Sequence, residues 1–490
     1  MADQANVRWP FPWAGIHTEL AEEHLPPQAL VECENMYYPS RDLLRSRGGF
    51  EYAYGGGAGP VKVMFYWDED QRLYWADDQG NLFANGVAIA GVDQPVTDIV
   101  SFTNLNGTVV LIVAEEENGE GHTLHEWDGA TYQTLALNGP EVPDDATRLY
   151  VRFGRLWSTC STDHPFRLWY STAGDAGDYG PPIAPALAAG SWMPVWRGTH
   201  GRVMDMGEFR DHFYIFKERQ VIALVGPYPR NWTQKKFEFT DTPVVGTGAD
   251  CTMGFLSITN RGVWVLGRGY RGESHNLARP ILEGIRQRLP QARAVWAPRI
   301  GCFVVVTGDR NIWVSNVDNR PDVWARWDTP PDLRPTSPSP SPSPSPSPNP
   351  EVVLGVRFSG VYQGDYLYFG TDDGHVYRYL DDGVTDGGHP FTPSFKTGSW
   401  SLGAQLDRKE LEFVEGGLNG AEKATLRLLI YRDGESAAII DETLTAGQRN
   451  LLRMSFNFER LQLEHRYSSL EGPVYFGSHD LRVKPVGQVL

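Results

Sequence analysis

Apolar and polar residues alternate along the chain in a pattern that predicts short β-strands joined by tight turns. The clearest example is residues 202–226, RVMDMGEFRDHFYIFKERQVIALVG. Two apolar runs, 213–216 and 221–224, stand on either side of the charged residues 217–219. Aromatic and β-branched residues favour strands, and a short polar segment between two such runs is typical of a hairpin turn. This stretch therefore predicts an antiparallel hairpin.

The same pattern recurs six more times, each time as an apolar strand, a polar turn, a second apolar strand, another turn and a third, alternating strand. These further copies lie at 63–86, 99–129, 148–171, 252–270, 294–316 and 355–383. One middle-strand position from each of the seven copies marks their spacing, which runs from 36 to 63 residues: Tyr74, Val110, Trp157, Tyr214, Trp264, Val304 and Leu367.

This spacing predicts an all-β fold with a β-propeller of about seven blades over residues 57–391, since a four-stranded blade takes roughly 40–50 residues. One such sheet cannot bury both faces alone, whereas sheets stacked around an axis can. The two longest spacings contain insertions, a Pro/Ala/Gly segment at 177–192 and a Ser-Pro tract. Two successive β-sandwiches are the alternative arrangement.

The two ends of the chain depart from the repeat. Residues 1–56 hold few regular strand patterns, which predicts an extended N-terminal arm that wraps the propeller or a neighbouring subunit. Residues 392–490 read as alternating strands and predict a C-terminal antiparallel β-sandwich.

Leucine and isoleucine recur every four residues within 275–290, which predicts one short helix over a blade edge.

The Pro/Ser segment 335–350 contains six consecutive Ser-Pro pairs at 337–348. Alternating proline blocks helix and sheet hydrogen bonding and favours an extended polyproline conformation. We expect a solvent-exposed loop inserted between strands of adjacent blades. A ligand for an SH3-type domain or a rigid spacer is the alternative.

Net charge, cysteine spacing and hydropathy exclude several kinds of partner and site. The formal net charge is −17, so the surface does not attract DNA or anionic lipid. The four cysteines are far apart in sequence, which predicts buried thiols rather than zinc ligands or a disulfide framework: Cys33, Cys160, Cys251 and Cys302. The chain has no apolar run of membrane-spanning length, so no membrane span is expected.

Candidate chemistry is sparse. Aspartate-rich segments occur at 68–71, 76–81, 371–375 and 380–389, each where a hairpin turn is expected. The histidines His164, His200, His212 and His375 also fall on turn-like stretches, and the chain lacks the GxSxG, HExxH and phosphate-loop motifs. The sequence therefore predicts no enzyme, with no catalytic, cofactor-binding or metal-binding residues.

Three segments of the chain contain spaced residues that match one known group of proteins. In the opening segment, 25–50, the matching residues are Leu25, Pro26, Ala29, Asn35, Leu44, Arg45, Arg47, Gly49 and Phe50. In "RLWYSTAGDAGDY", 167–179, they are Tyr170, Ser171, Asp175 and Tyr179. In the hairpin at 202–226 they are Gly207, Phe209, Arg210, Asp211, Tyr214, Ile215, Phe216, Lys217 and Glu218. With these residues the three segments resemble structural proteins of tailed bacteriophages, the tail-nozzle and tail-hub group that includes packaged-DNA stabilisation proteins.

The resemblance implies a structural virion protein of the phage tail, made in the host cytoplasm. It would form a homo-oligomeric ring, with sixfold symmetry favoured, that connects portal, adaptor or other tail proteins and lines the DNA exit channel during ejection. An acidic wall would repel the passing DNA. The alternative is a carbohydrate-binding or glycoside-hydrolysing propeller, with exposed Trp196, Trp232 and Trp324 stacking on sugars. Core packing between blades is the favoured role of these tryptophans.

Overall fold

The computed structural model of the chain describes most of the repeat region and both ends. The described residues are 5–8, 12, 14–21, 24–26, 28–40, 43–67, 70–104, 107–116, 121–143, 145–160, 164–180, 191–195, 201–209, 212–226, 231–238, 243, 248–251, 254–266, 274–307, 311–317, 322–329, 352–357, 367–383, 385–400, 407–416, 419–420, 424–445, 450–458, 460–468, 474–475 and 479–488. The predicted Pro/Ser loop at 335–350 lies outside these residues.

Seven antiparallel four-stranded units, the blades, follow one another around a ring, and the strands of each blade run in order from the first to the fourth. Blades 1 to 3 are Val61–Trp67, Arg72–Asp77, Leu82–Ala84 and Val87–Ala88; Val96–Asn104, Gly107–Glu115, His122–Trp127 and Tyr132–Thr134; Ala146–Arg152, Arg155–Cys160, Arg167–Tyr170 and Ser191–Pro194. Blades 4 and 5 are Val203–Phe209, His212–Lys217, Gln220–Val225 and Thr233–Glu238; Ala249–Cys251, Gly254–Thr259, Gly262–Leu266 and Ser274–Asn276. Blades 6 and 7 are Arg293–Ala297, Cys302–Val306, Asn311–Ser315 and Trp324–Asp328; Val352–Arg357, Leu367–Thr371, Val376–Leu380 and Gly49–Tyr54.

The seven units form a closed ring, which confirms the predicted β-propeller. The first strand of each blade contacts the first strand of the next, and that of blade 7 contacts that of blade 1. Blade 7 takes its fourth strand from the N-terminal part of the chain, Gly49–Tyr54, which pairs with Val376–Leu380. The two ends of the repeat are therefore held together by one sheet.

Hydrophobic side chains fill the space between successive blades. Between blades 1 and 2, Tyr74 and Val110 pack in one cluster, and between blades 3 and 4, Trp157 packs with Phe213 and Ile222. The second strands are apolar on both faces because each lies between two neighbouring sheets. This burial explains why the repeats read as continuous apolar runs rather than as simple alternation.

The C-terminal part forms a β-sandwich, as predicted. One sheet continues from the fourth strand of blade 6 and contains, in order, Ala29–Glu34, Ser394–Thr397, Leu461–Ser468, Thr425–Arg432 and Ile440–Thr445, with Gly15–Ile16 paired to Ala29–Glu34. The second sheet contains, in order, Ala5–Arg8, His479–Gln488, Asp407–Gly416 and Asn450–Phe458.

Two smaller sheets and a short helical segment complete the described fold. The sheets are Asn419–Gly420, Val474–Tyr475, Leu43–Ser46 and Met36–Ser40, and Thr385–Asp386 with His389–Pro390. The helical segment is the 3₁₀ turn Arg279–Ile281, the α-helix Leu282–Ile285 and the 3₁₀ turn Leu289–Gln291. Within the part of the chain that is described, no helix has the length and apolarity needed to cross a membrane.

The N-terminal segment is extended, but the expectation that it holds few regular strands was wrong. Four strands lie between residues 29 and 54, and each pairs with a strand from a distant part of the chain or with its neighbour. Ala29–Glu34 connects blade 6 to the sandwich, since it pairs at Glu34 with Arg326 and also along Ser394–Thr397. Ala29–Glu34 and Gly49–Tyr54 lack a local hairpin signal because their partners lie in the distant segments 326, 394–397 and 376–380.

Candidate functional site

Charged side chains from neighbouring blades meet at the axis of the propeller. Asp98, Arg148 and Asp205 occupy the same position in the first strands of blades 2, 3 and 4, directly after a shift of register. A β-bulge of this kind re-aims the side chain beside it. Because the first strands form the closed inner ring, the three charges lie beside the axis. We call these three residues, together with Arg293 of blade 6, the axial cluster.

Arg148 lies between the two aspartates of the axial cluster. Its Nη1 is 3.3 Å from Oδ1 of Asp98, and its Nε is 3.7 Å from Oδ1 of Asp205. Asp98 is held in place because its Oδ2 accepts the backbone N–H of Leu149 at 2.7 Å. Asp205 likewise accepts the backbone N–H of Met206 at 2.9 Å. Three adjacent blades are thus joined by charge-assisted contacts beside the axis.

Burial and the neighbouring charges shift the pKa values of Asp98 and Arg148 in opposite directions. Burial raises the pKa of Asp98 above its usual value and outweighs the attraction of Arg148 and the backbone donors. Burial alone would lower the pKa of Arg148, but Asp98 and Asp205 together raise it above its usual value. The guanidinium therefore stays charged, and the Asp98 carboxylate is the costly charge of the pair.

Arg293 brings a second cation to the axis from the first strand of blade 6. Its Nη1 donates to the carbonyl oxygen of Ala292 at 3.1 Å, and among the described residues no carboxylate pairs with it. Burial, and then the charge of Arg148, lower the pKa of Arg293. Blades 3 and 6 lie on opposite sides of a seven-membered ring, so this interaction crosses the axis.

A second charged contact joins the first strands of blades 3 and 4, nearer to the ends of those strands. Nε of the buried Arg152 lies 3.1 Å from Oε1 of Glu208. The guanidinium of Arg152 also lies over the ring of Phe153, 4.2 Å from its centroid. Phe153 is 45% exposed at a φ of 55°, a left-handed conformation that is strained for an aromatic residue. The hairpin tip of blade 3 therefore presents an aromatic side chain to solvent.

A buried ion pair ties the N-terminal segment to the start of the C-terminal part. Arg47 donates from Nη1 and Nη2 to the two carboxylate oxygens of Asp386, both at 2.8 Å. The Arg47 side chain is fully buried, and its guanidinium lies over the rings of Phe50 and Phe391. Asp386 also accepts the backbone N–H of Phe50 at 2.9 Å. Every oxygen of this carboxylate therefore has a donor.

Asn35 extends this arrangement to blade 6. Its Oδ1 accepts from Nε of Arg47 at 2.8 Å and from the backbone N–H of Asp328 at 3.0 Å. Its Nδ2 donates to Oδ2 of Asp328 at 2.8 Å and to the carbonyl oxygen of Thr392. Asn35 is buried at a φ of 55°, which asparagine tolerates better than most residues. We call Asn35, Arg47, Asp328 and Asp386 the junction network.

Residues of the phage resemblance occupy constrained positions in the fold. In the opening segment, Asn35 and Arg47 form the junction network, and a Cβ on Gly49 would overlap the Thr385 carbonyl oxygen. In the second segment, buried Ser171 accepts the backbone N–H of Leu156 at 3.0 Å and donates to the Thr172 carbonyl oxygen.

The third segment of the resemblance, the hairpin at 202–226, is also closely packed. Gly207 faces the ring of Phe255 in blade 5, with no room for a Cβ. Tyr214 and Phe216 pack on the same ring, with centroids 5.7 Å and 5.1 Å from it. Arg210 and Asp211 lie outside the described residues. The described part of this segment therefore holds blade 4 against blade 5.

Two of the aspartate-rich segments, 76–81 and 371–375, have an aspartate that caps a turn, whereas Asp386 of 380–389 belongs to the junction network. Oδ1 of Asp77 accepts the backbone N–H groups of Gln79 and Asn81, and its Oδ2 accepts that of Ala58. In blade 7, Asp373 contacts Thr371 at 2.5 Å and His375 at 3.0 Å. Among the described residues, no three His, Cys, Asp or Glu side chains are grouped as metal ligands would be. These carboxylates thus lie on separate turns.

Two of the three tryptophans considered for sugar stacking lie in the described part of the chain, and both pack in the core, the role that the sequence favours. Trp324 is fully buried and donates from Nε1 to the carbonyl oxygen of Leu277 at 2.8 Å, so the alternative in which it is exposed was wrong. Trp232 is half-buried and packs on Trp157 and Tyr170 in the core of blades 3 and 4. Trp196 lies outside the described residues.

Sequence reasoning missed both the axial cluster and the junction network. The axial residues are about 50 positions apart and come from different blades, so no local motif links them. The available signal was a charged residue at the third position of three first strands, in "VTDIVSF", "ATRLYVR" and "VMDMGEF". A charge at the same position of three aligned strands would have indicated that these positions meet at the axis.

The fold and its axis define this chain as a seven-bladed β-propeller joined to a β-sandwich. No family model matches the chain, and no curated protein matches it. Among solved structures, the Pan2 WD40 domain of Neurospora crassa matches with a TM-score of 0.45 and 10% identity, over 69% of this chain and 96% of that one.

Two structures of the extracellular domain of BT4673 from B. thetaiotaomicron also match. Their TM-scores are 0.44 and 0.43, with 11% and 12% identity over 69% and 79% of this chain. The matches cover 40% and 44% of those two chains. Such low similarity does not indicate an activity for this chain. The assignment as a β-propeller rests on the strand pairing of the chain itself.

Proposed function

We propose that this protein is a structural subunit of a bacteriophage tail machine, a nozzle, hub or adaptor that assembles into a ring around the DNA exit channel. It connects neighbouring tail components, with sixfold symmetry favoured, and performs no catalysis. The observation that carries the proposal is the placement of the residues that resemble this group of proteins. Asn35, Arg47, Gly49, Ser171 and Gly207 each occupy a buried or sterically closed position.

A tail component that transmits load needs a rigid body, and the connectivity of this chain supplies one. The fourth strand of blade 6 is continuous with the first sheet of the sandwich through Ala29–Glu34. The junction network links the N-terminal segment to blade 6 and to Asp386 through a buried, fully hydrogen-bonded ion pair. Buried polar networks that are fully satisfied add rigidity. Propeller and sandwich would therefore act as one unit in a ring.

The DNA path in this proposal lies between subunits rather than through the propeller. Charged side chains of neighbouring blades contact one another beside the propeller axis, whereas the major groove of a DNA duplex is by itself about 12 Å wide. A central opening shared by several copies can be wider. The net charge of −17 would then keep the wall from adhering to the phosphate backbone.

Size-exclusion chromatography with multi-angle light scattering tests this proposal. A ring predicts a discrete mass at a multiple of the 54.8 kDa chain, with about six copies favoured, that persists on dilution because obligate interfaces bury roughly 2,000 Å² or more. Neighbouring reading frames that encode portal and capsid proteins would support the same conclusion. A monomer at all concentrations, encoded beside polysaccharide-degrading enzymes, would contradict it.

A further inference from the structure

Most outer edges of the propeller blades are short or already covered. The fourth strands of blades 1, 2, 3 and 5 contain only two to four residues. The edge of blade 6 is joined to Ala29–Glu34, and at the edge of blade 7 the backbone of Phe50 bonds to Asp386 and Gly387. Blade 4 differs, because its six-residue fourth strand Thr233–Glu238 pairs on one side only among the described residues. We call this strand the blade-4 edge.

The β-sandwich ends in a second strand edge of the same length. Ile440–Thr445 contains six residues and pairs on one side with Thr425–Arg432, in a register without a shift. In the described part of the chain, no strand lies on its other side. The strand has neither a proline nor a bulge, two features that block pairing at an edge. We call Ile440–Thr445 the sandwich edge, and its backbone can accept a further strand.

The two edges carry opposite charges. Lys235 and Lys236 are exposed on the blade-4 edge, whereas Asp441 and Glu442 are exposed on the sandwich edge. Asp441 already pairs with Arg427, but within the described residues neither Lys236 nor Glu442 forms an ion pair. Two blade-4 edges would repel each other, and so would two sandwich edges. Charge therefore favours pairing of one kind of edge with the other.

We propose that the blade-4 edge of one copy of the protein pairs with the sandwich edge of a second copy, as neighbouring strands of one antiparallel sheet. Full overlap of two six-residue antiparallel strands places Thr233 opposite Thr445 and Lys236 opposite Glu442. The main-chain hydrogen bonds of the added strand supply affinity, and the opposed charges fix the register.

This contact is head-to-tail, because it joins two different surfaces of the same chain. Contacts of this kind close into a ring when the rotation between successive copies permits it. The inference rests on the proposed ring and names the two surfaces that would hold its subunits together.

Charge reversal tests the pairing, with the mass of the assembly measured by size-exclusion chromatography with multi-angle light scattering. We expect Lys236→Glu and Glu442→Lys each to raise the concentration at which the assembly dissociates into 54.8 kDa chains by about tenfold or more, because like charges then lie opposite each other. The combined variant Lys236→Glu/Glu442→Lys restores opposite charges and should recover the wild-type assembly. Lys62→Glu, at an exposed lysine of blade 1, is the matched control and should leave the mass unchanged.

The possible outcomes separate this inference from the proposed function. A wild-type protein that is monomeric at all concentrations would overturn both the ring and the edge pairing. A wild-type ring that both single variants preserve would overturn only the edge pairing. Failure of the combined variant to restore a ring that the single variants disrupt would likewise show that the two edges do not face each other.

Disulfide cross-linking tests the register independently of charge. Opposite residues of antiparallel strands have Cα atoms roughly 4.5–5.5 Å apart, within the range that a disulfide spans. We expect Lys236→Cys/Glu442→Cys to form covalent oligomers on oxidation, seen on a non-reducing gel. Lys236→Cys/Thr443→Cys is the control, since Thr443 is next to Glu442 in the strand and projects to the other face of the sheet. Equal cross-linking of the two double variants, or none in either, would overturn the proposed register.

Discussion

At the scale of single residues, the fold depends on a few buried polar groups whose partners are all present. Arg47 is the clearest case, since its fully buried guanidinium has Asp386, Asn35 and the Gly48 carbonyl oxygen as acceptors. A buried ion pair adds little net stability compared with apolar residues of the same volume, but removal of one partner leaves an uncompensated charge. The pair therefore constrains which residues can stand at both positions.

Asp386→Asn tests this dependence directly. The substitution keeps the shape but leaves Arg47 as an unpaired buried charge, so we expect the free energy of unfolding to fall by about 3–5 kcal/mol. Urea denaturation followed by tryptophan fluorescence measures the change. Asp441→Asn, which breaks the exposed pair with Arg427, is the control and should leave the midpoint unchanged. Similar results for the two variants would contradict a structural role for the junction network.

At the scale of elements, the strand Gly49–Tyr54 closes the propeller. It pairs with the third strand of blade 7 in the register Phe50 with Tyr379 and Tyr52 with Tyr377. Phe50 is buried against the rings of Phe369 and Tyr379, with centroids 5.3 Å and 5.7 Å away. This strand joins residues about 330 positions apart, so its loss would leave blade 7 with an unpaired strand edge.

Two N-terminal truncations separate closure from a peripheral contribution. Removal of residues 1–54 takes away the fourth strand of blade 7, together with Ala29–Glu34 and the junction residues Asn35 and Arg47, and should give a protein that aggregates or melts without a cooperative transition. Removal of residues 1–8 takes away only the edge strand Ala5–Arg8, which pairs with His479–Gln488, and should preserve a single sharp transition by circular dichroism. If both truncated proteins melted alike, the closure role of Gly49–Tyr54 would be wrong.

The sequence predicts the repeat well because each blade is built from neighbouring strands. Of the seven middle-strand positions, six lie on second strands, and Trp264 lies on the third strand of blade 5. The helix predicted within 275–290 is confirmed only in part, because its α-helical portion is Leu282–Ile285 between two 3₁₀ turns, and Ser274–Asn276 is the fourth strand of blade 5. Local hairpins leave a periodic signal in the chain, and this signal gives the number of blades.

The rest of the fold could not be predicted from local patterns. Gly49–Tyr54 has no hairpin partner nearby, since the strand it pairs with is Val376–Leu380. The partners of Arg47 and Arg148 likewise come from other blades or from the far end of the chain. Contacts between repeats depend on how the blades stack, and a single sequence carries no periodic trace of them.

At the scale of the whole molecule, a closed propeller, a continuous sandwich and an acidic surface would together make one subunit of the proposed ring. The propeller axis is occupied by interacting charges, so we expect no passage of DNA along it. The functional opening would arise only on assembly, from the outer surfaces of several copies. A mutation in the axial cluster should therefore leave the assembly and its opening intact.

Electron cryo-microscopy of the purified protein, with and without duplex DNA, tests this central claim most directly. We expect rings of several subunits around one shared opening, with DNA density confined to that opening and each propeller axis free of it. Isolated 54.8 kDa particles, or DNA density running through a propeller axis, would contradict the proposed ring.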